Sequence, residues 1–163
     1  MRFLTPILGS LRVFALVALV VTVAACSRTP VTGVGNLGPG AATPGSQQEF
    51  LVTVGDRVFF DTDSSSLSPT ATATLDKQAA WLNRYTKYQH ILIEGHADER
   101  GTREYNIALG ARRANVVVNY LISRGVAANR LSMKSFGKER PVAICDDISC
   151  WSQNRRAVTV VSQ

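Results

Sequence analysis

The sequence predicts a two-layer α/β sandwich. Two segments carry apolar residues at three- and four-residue intervals, short β-branched runs alternate with them, and a capping residue precedes each helical segment. The globular head is expected to begin near Gln47 and to span residues 47–163. Val52, Val54, Val58, Phe59 and Phe60 predict a first strand or hairpin, interrupted at Gly55-Asp56. Residues 61–66 (DTDSSS) form a loop, and Ser68-Pro69 offers an N-cap with Pro at the first helical position. Ala71, Leu75, Ala79 and Leu82 then give one apolar helical face up to about Tyr85. Ile91-Leu92-Ile93 reads as a strand buried on both faces, and residues 95–101 leave its C-terminal end as a loop. Thr102 can cap the next helix, with Glu104 in its first turn. Its expected apolar face is Tyr105, Ala108, Leu109, Val116, Tyr120 and Leu121, and Gly125 stops it. Leu131 to Phe136 predicts a third strand, an irregular segment with two cysteines follows, and Ala157 to Val161 predicts the last strand. The expected order is β-α-β-α-β-β.

Ahead of the head lie two segments of different character. Arg2 and Arg12 precede the run from Val13 to Ala25, which is apolar except for Thr22 and ends in small residues before Cys26. That is a secretory pattern, and the run is shorter than the roughly 20 residues of a membrane-spanning helix. A cysteine directly after the small residues resembles a bacterial lipoprotein signal, with Val23 where such signals more often carry Leu. The resemblance implies that residues 1–25 are removed and that Cys26 is acylated, with palmitate among its chains. Ser27, rather than Asp, implies sorting to the outer membrane. An ordinary secretory signal that happens to end at a cysteine is the alternative. Residues 27–46 hold five Gly and three Pro, so residues 26–46 read as a lipidated cysteine and a flexible linker. Extended, the linker reaches about 65 Å; as a coil it spans about 25 Å.

Composition narrows the function. Without residues 1–25 the formal charge falls from +6 to +4, with 16 basic and 12 acidic residues. This mild excess, with no basic cluster interleaved with aromatics, argues against nucleic acid as a partner. Export places Cys145 and Cys150 in an oxidising compartment. A short disulfide is favoured over a metal pair, because His90 and His96 lie far upstream. No third metal ligand, Gly-x-Ser-x-Gly elbow or phosphate loop accompanies His96 and Asp98, so neither metal site nor catalysis is expected.

Asp98 lies just past a strand end, and Arg113 lies inside the following helix. If the chain turns back near Gly101, the two side chains can flank one cleft. A carboxylate and a planar two-donor guanidinium then suit a zwitterion. The residues alone leave open that the two simply pair with each other, or that Asp98 orders its own loop. Residues 95–114, GHADERGTREYNIALGARRA, closely resemble the peptidoglycan-binding segment of the OmpA-like domain family. The FFDTD run at 59–63 and NRR at 154–156 are also family-like, and the similarity covers about residues 52–162. Ala97 stands for a common Thr and Gly110 for a common Ser.

The resemblance implies a non-enzymatic binder of peptidoglycan without a cofactor. Its ligand would be the meso-diaminopimelate of a stem peptide, held by Asp98 and Arg113. It places Phe60, Asp61, Thr62, Arg100, Thr102 and Leu109 around the cleft, although Phe60 and Leu109 can equally be core and Thr102 only a cap. The lipoprotein branch of the family further implies TolB, and in some states TolA, as partners. It implies anchoring on the periplasmic face of the outer membrane, and roles in envelope integrity and cell division. An OmpA-like lipoprotein without Tol partners, and more distantly a periplasmic cell-wall hydrolase, are the competing readings.

Overall fold

The computed structural model describes residues 42–163. The expected leader, Cys26 and most of the expected linker lie outside the described residues. Residues 43–46, expected as linker, instead belong to the head. Gly45 is buried beside Tyr85, its carbonyl accepts from the Tyr88 hydroxyl at 2.9 Å, and its N–H donates to Glu49.

The first strand is shorter than expected. Ser46 caps a helical turn, α1 (Gln47–Glu49), that runs on into a π-helical stretch, Phe50–Gly55. Only Arg57–Phe59 is extended, as β1. The alternating valines at 52 and 54 mimic a strand, but a local cap and a tertiary anchor override them. Phe50 is fully buried against Trp81, 4.8 Å between ring centroids, and Glu49 accepts the Trp81 indole N–H. Val52 is left facing solvent. Gly55, at φ +89°, ends the helical stretch in a conformation that costs glycine little.

Helix α2 (Pro69–Arg84) starts at the expected Ser68 cap and buries Ala71, Leu75, Ala79 and Leu82. Strand β2 (His90–His96) buries Ile91 and Ile93 toward the helices, whereas Leu92 and Glu94 are only half-buried on the opposite face. The expectation of burial on both faces fails because helices α2 and α3 cover one face only. Helix α3 (Arg103–Ser123) is capped by Thr102 as expected. Its buried stripe is Asn106, Leu109, Gly110, Arg113, Ala114, Val117 and Leu121. The stripe is rotated from the expected face, leaving Tyr105 and Ala108 exposed. Strand β3 (Leu131–Gly137) follows. The segment expected to be irregular contains α4 (Ile148–Asn154), capped by Asp147, with Cys145 and Cys150 joined in the favoured disulfide across a Cα–Cα distance of 5.7 Å. Strand β4 (Arg156–Ser162) closes the domain.

The strand order is β1-β4-β2-β3, with β4 antiparallel to both its neighbours and β2 parallel to β3. The fold is therefore the expected two-layer sandwich. Helix α3 lies so close to β2 that two glycines meet: a Cβ on Gly95 would stand 1.9 Å from the Gly110 carbonyl oxygen. This approach draws the N-terminal half of α3 onto the C-terminal end of β2, where Asp98 emerges. Gly95→Ala is expected to cost about 3 kcal/mol or more, because backbone rather than a flexible side chain must move. Denaturant unfolding checks this, and wild-type stability in the variant would show that the contact can relax.

Candidate functional site

Asp98 follows β2 by two residues and is 7% exposed. Its Oδ1 accepts from the Arg100 backbone N–H at 3.2 Å and from Arg100 Nε at 3.1 Å. Oδ2 accepts from Arg100 Nη2 at 2.7 Å and from Arg155 Nη1 at 3.4 Å. Burial pushes the carboxyl up, but the hydrogen bonds and charge of Arg100, helped by Arg155, outweigh it and hold Asp98 below the usual carboxylate range.

Arg113 has no measurable exposure and makes no bond to Asp98. Its Nε donates to the Ser64 carbonyl at 2.8 Å, Nη1 to His96 at 2.8 Å and Nη2 to Asp61 at 3.0 Å. The guanidinium carbon lies 5.2 Å from the centre of the Phe60 ring. Burial, then the neighbouring Arg155, lowers its pKa to about 10, so it stays charged at neutral pH. Three of its five N–H donors are used in these bonds. The geometry thus excludes a simple Asp98–Arg113 pair, and Asp98 does order its own loop through Arg100.

A cavity of about 270 Å³ opens at this end of the sheet, lined by Thr62, Asp63, Asp98, Arg100, Tyr105 and Leu109 among others. Four residues expected around the cleft, Thr62, Asp98, Arg100 and Leu109, line it. Arg113 does not: it sits behind the Asp61–Ser64 loop that it holds. Phe60 is buried beneath that guanidinium, Asp61 turns to a neighbouring cavity, and Thr102 caps α3. Sequence reasoning missed Asp63, Tyr105, Asn106 and the role of Arg155. Asp63 adopts φ +56° and its carboxylate accepts the Tyr105 hydroxyl. Asn106 holds the loop by donating to the Arg100 and Thr102 carbonyls. Arg155 donates to the Phe60 carbonyl at 3.0 Å as well as to Asp98. Trp151 lies 4.2 Å from the Arg100 guanidinium, fixing its outer side, and donates to Glu99.

Residues 59–156 match the OmpA family, and the chain belongs to it. Its similarity within that family is to proteins named peptidoglycan-associated lipoprotein. The Rhizobium meliloti (strain 1021) relative is 70% identical over 125 residues, 77% of this chain and 70% of the relative. The Mesorhizobium japonicum relative is 61% identical over 152 residues, 91% of this chain and 89% of the relative. Among solved structures, the peptidoglycan-associated lipoprotein from Burkholderia pseudomallei aligns with a TM-score of 0.65 at 41% identity, covering 69% of this chain and 96% of that one. The C-terminal domain of Helicobacter pylori MotB aligns with a TM-score of 0.62 at 27% identity, covering 66% and 84%.

His96, whose carbonyl serves Arg113, turns its ring to the other face of the sheet and stacks on Phe136. Neither ring nitrogen has a hydrogen-bond partner, and Glu94 lies 3.6 Å from Nε2. Burial, with Arg156, Arg140 and Arg57 nearby, lowers its pKa to about 4. Between about 4 and 6.5 the unfolded chain therefore binds a proton that the folded chain refuses, so stability rises with pH across that window and is lost as pH falls from 6.5 to 4. Full coupling corresponds to up to about 3 kcal/mol. His96→Phe keeps a stacked ring and should flatten this slope in denaturant unfolding at pH 4 to 7; an unchanged slope would assign it to another group.

Proposed function

We propose that this chain is an outer-membrane lipoprotein that grips peptidoglycan without covalent attachment and without catalysis. The observation that carries the reading is one small cavity presenting both signs of charge. Asp98 and Asp63 face it as carboxylates, Arg100 faces it as a cation, and Arg113 lies behind, holding the Asp61–Ser64 wall. A zwitterion satisfies such a site, whereas a simple ion meets like charge on one wall. The side-chain terminus of meso-diaminopimelate in a stem peptide is such a group. In this reading its ammonium approaches Asp98 and Asp63, and its carboxylate is taken by the guanidinium side. Because Arg100 already covers the outer edge of Asp98, the ligand enters by displacing part of that exposed side chain.

The relatives' name supports peptidoglycan as the larger target, and the sequence of residues 1–26 supports a lipid anchor at Cys26 on the periplasmic face of the outer membrane. Membership of a Tol–Pal system, with TolB and in some states TolA as partners and a part in envelope integrity and division, completes the proposal. Capture of TolB by the purified chain separates it from an OmpA-like lipoprotein outside that system.

In a sacculus pull-down with the full chain, Asp98→Ala and Arg113→Ala should each weaken binding by a few kcal/mol, on the order of a hundredfold. The two effects should be far from additive, since Asp98 lines the cavity and Arg113 holds the wall of that same cavity. Arg113→Ala also frees the loop carbonyls of Asp61 and Ser64, so affinity must be read on folded protein, by titration with a diaminopimelate-containing stem peptide. Unchanged affinity in both folded variants ends the assignment.

Cys26→Ser should leave an unprocessed or soluble periplasmic form, because acyl chains at about 0.8 kcal/mol per buried methylene supply the membrane affinity. An unmodified Cys26 in protein purified from the membrane fraction, seen by mass spectrometry, would sink the anchor.

A further inference from the structure

A second cavity, of about 380 Å³, opens beside the first and is lined by Phe59, Asp61, Ser66, Ser68, Gln153 and Arg155 among others. The two cavities are neighbours across one ion pair: Asp98 faces the first, Arg155 faces the second, and their side chains lie 3.4 Å apart. The walls of the second cavity offer an unusual mixture. Phe59 is 49% exposed and presents an aromatic surface to solvent at the end of β1. Ser68 accepts the Ala71 N–H as the α2 cap and keeps its own proton to donate. Gln153 donates its amide to the Ser149 carbonyl, which leaves its side-chain oxygen to accept. The Asp61 carboxylate makes no hydrogen bond among the described residues; only its backbone carbonyl is used, by Arg113 and Ser64.

These groups select a ligand class. A purely apolar ligand would strand the carboxylate, hydroxyls and amide without partners. A phosphate would meet the Asp61 carboxylate beside Arg155. A pyranose fits both demands, setting an apolar C–H face against the ring and hydroxyl or acetamido groups against the polar rim. We propose that this cavity binds an N-acetylated amino sugar of the glycan strand, next to the stem peptide held in the first cavity. The proposal rests on the stem-peptide reading of that first cavity. Diaminopimelate is the third residue of the stem, so about 10 Å of extended peptide separates it from the sugar. The head would then read the junction between glycan and peptide.

The test is calorimetric titration of the full chain with three probes: a diaminopimelate-containing stem tripeptide, the same tripeptide on N-acetylmuramic acid, and the N-acetylglucosaminyl-N-acetylmuramic acid disaccharide without peptide. The muramyl tripeptide should bind about tenfold more tightly than the bare tripeptide. Phe59→Ala and Gln153→Ala should each remove most of that gain and leave tripeptide affinity unchanged. Equal affinity for the two peptides, or a gain that survives both substitutions, overturns the proposal. Should the tripeptide itself fail to bind, the stem-peptide reading falls, and the disaccharide still decides the sugar site. Shifts of the Phe59, Ser66 and Gln153 amide resonances at millimolar disaccharide support it, and their absence overturns it.

Discussion

The buried guanidinium of Arg113 is the constraint around which the cavity-bearing end of this domain is arranged. Helix α3 carries it inward, and its three hydrogen bonds go to carbonyls on two different segments, the Asp61–Ser64 loop and the end of β2. The Asp61 carbonyl is shared with the Ser64 N–H, so the loop closes on itself as well as on Arg113. Burying a cation is itself unfavourable, as its lowered pKa records. The compensation is geometric: one planar group fixes where the loop after β1 stands relative to the loop after β2. Both cavities depend on that placement, since Thr62 and Asp63 wall one and Asp61 and Ser66 wall the other.

Arg155 repeats the device from the opposite side. It joins the Phe60 carbonyl to the Asp98 carboxylate, so the residue before β4 ties the end of β1 to the loop after β2. The sheet order makes this possible, because β4 lies between β1 and β2. Asp98 therefore answers to two arginines of different exposure. Arg155 is buried and structural, whereas Arg100 is exposed and rests on Trp151. In the proposed reading, a ligand cation would compete with Arg100 while the framework that Arg155 maintains stays in place.

The helices were legible from sequence because their signals are local. Ser68-Pro69 and Thr102 cap as read, and Leu75, Ala79 and Leu82 face the core at helical spacing. The same local logic misled at Val52 and Val54, where a period-2 pattern gave way to the burial of Phe50 beside Trp81, 31 residues away. Helix α4 was invisible because seven residues give hardly two turns of periodicity, in a stretch dominated by polar residues and cysteines. Of the cavity's lining, Asp98, Arg100 and Leu109 were legible through one segment contiguous in sequence, 95–114, and Thr62 through the separate run 59–63. Asp63 and Tyr105 were not, because their meeting spans 42 residues, and Tyr105 at helical spacing looks like core. Nor does spacing distinguish an arginine that lines a cavity from one that holds up its wall, which is the difference between Arg100 and Arg113.

The sheet also sets the direction in which the head faces. Strand β2 runs from His90 to His96, and Asp98 lies just beyond its C-terminal end. The N-terminal lead-in attaches at the opposite end: Gln47 donates to the Val161 carbonyl, and His90 pairs with Ser162. Seven residues of strand put about 20 Å between these two poles. A lipid anchor upstream of residue 42 would therefore pull on the pole farthest from the binding cavities. The resulting polarity suits a tether. In the proposed reading, tension between membrane and cell wall would act along the strands, loading the ladders of β2, β3 and β4 in shear, with the arginine-held loops left to hold the ligand.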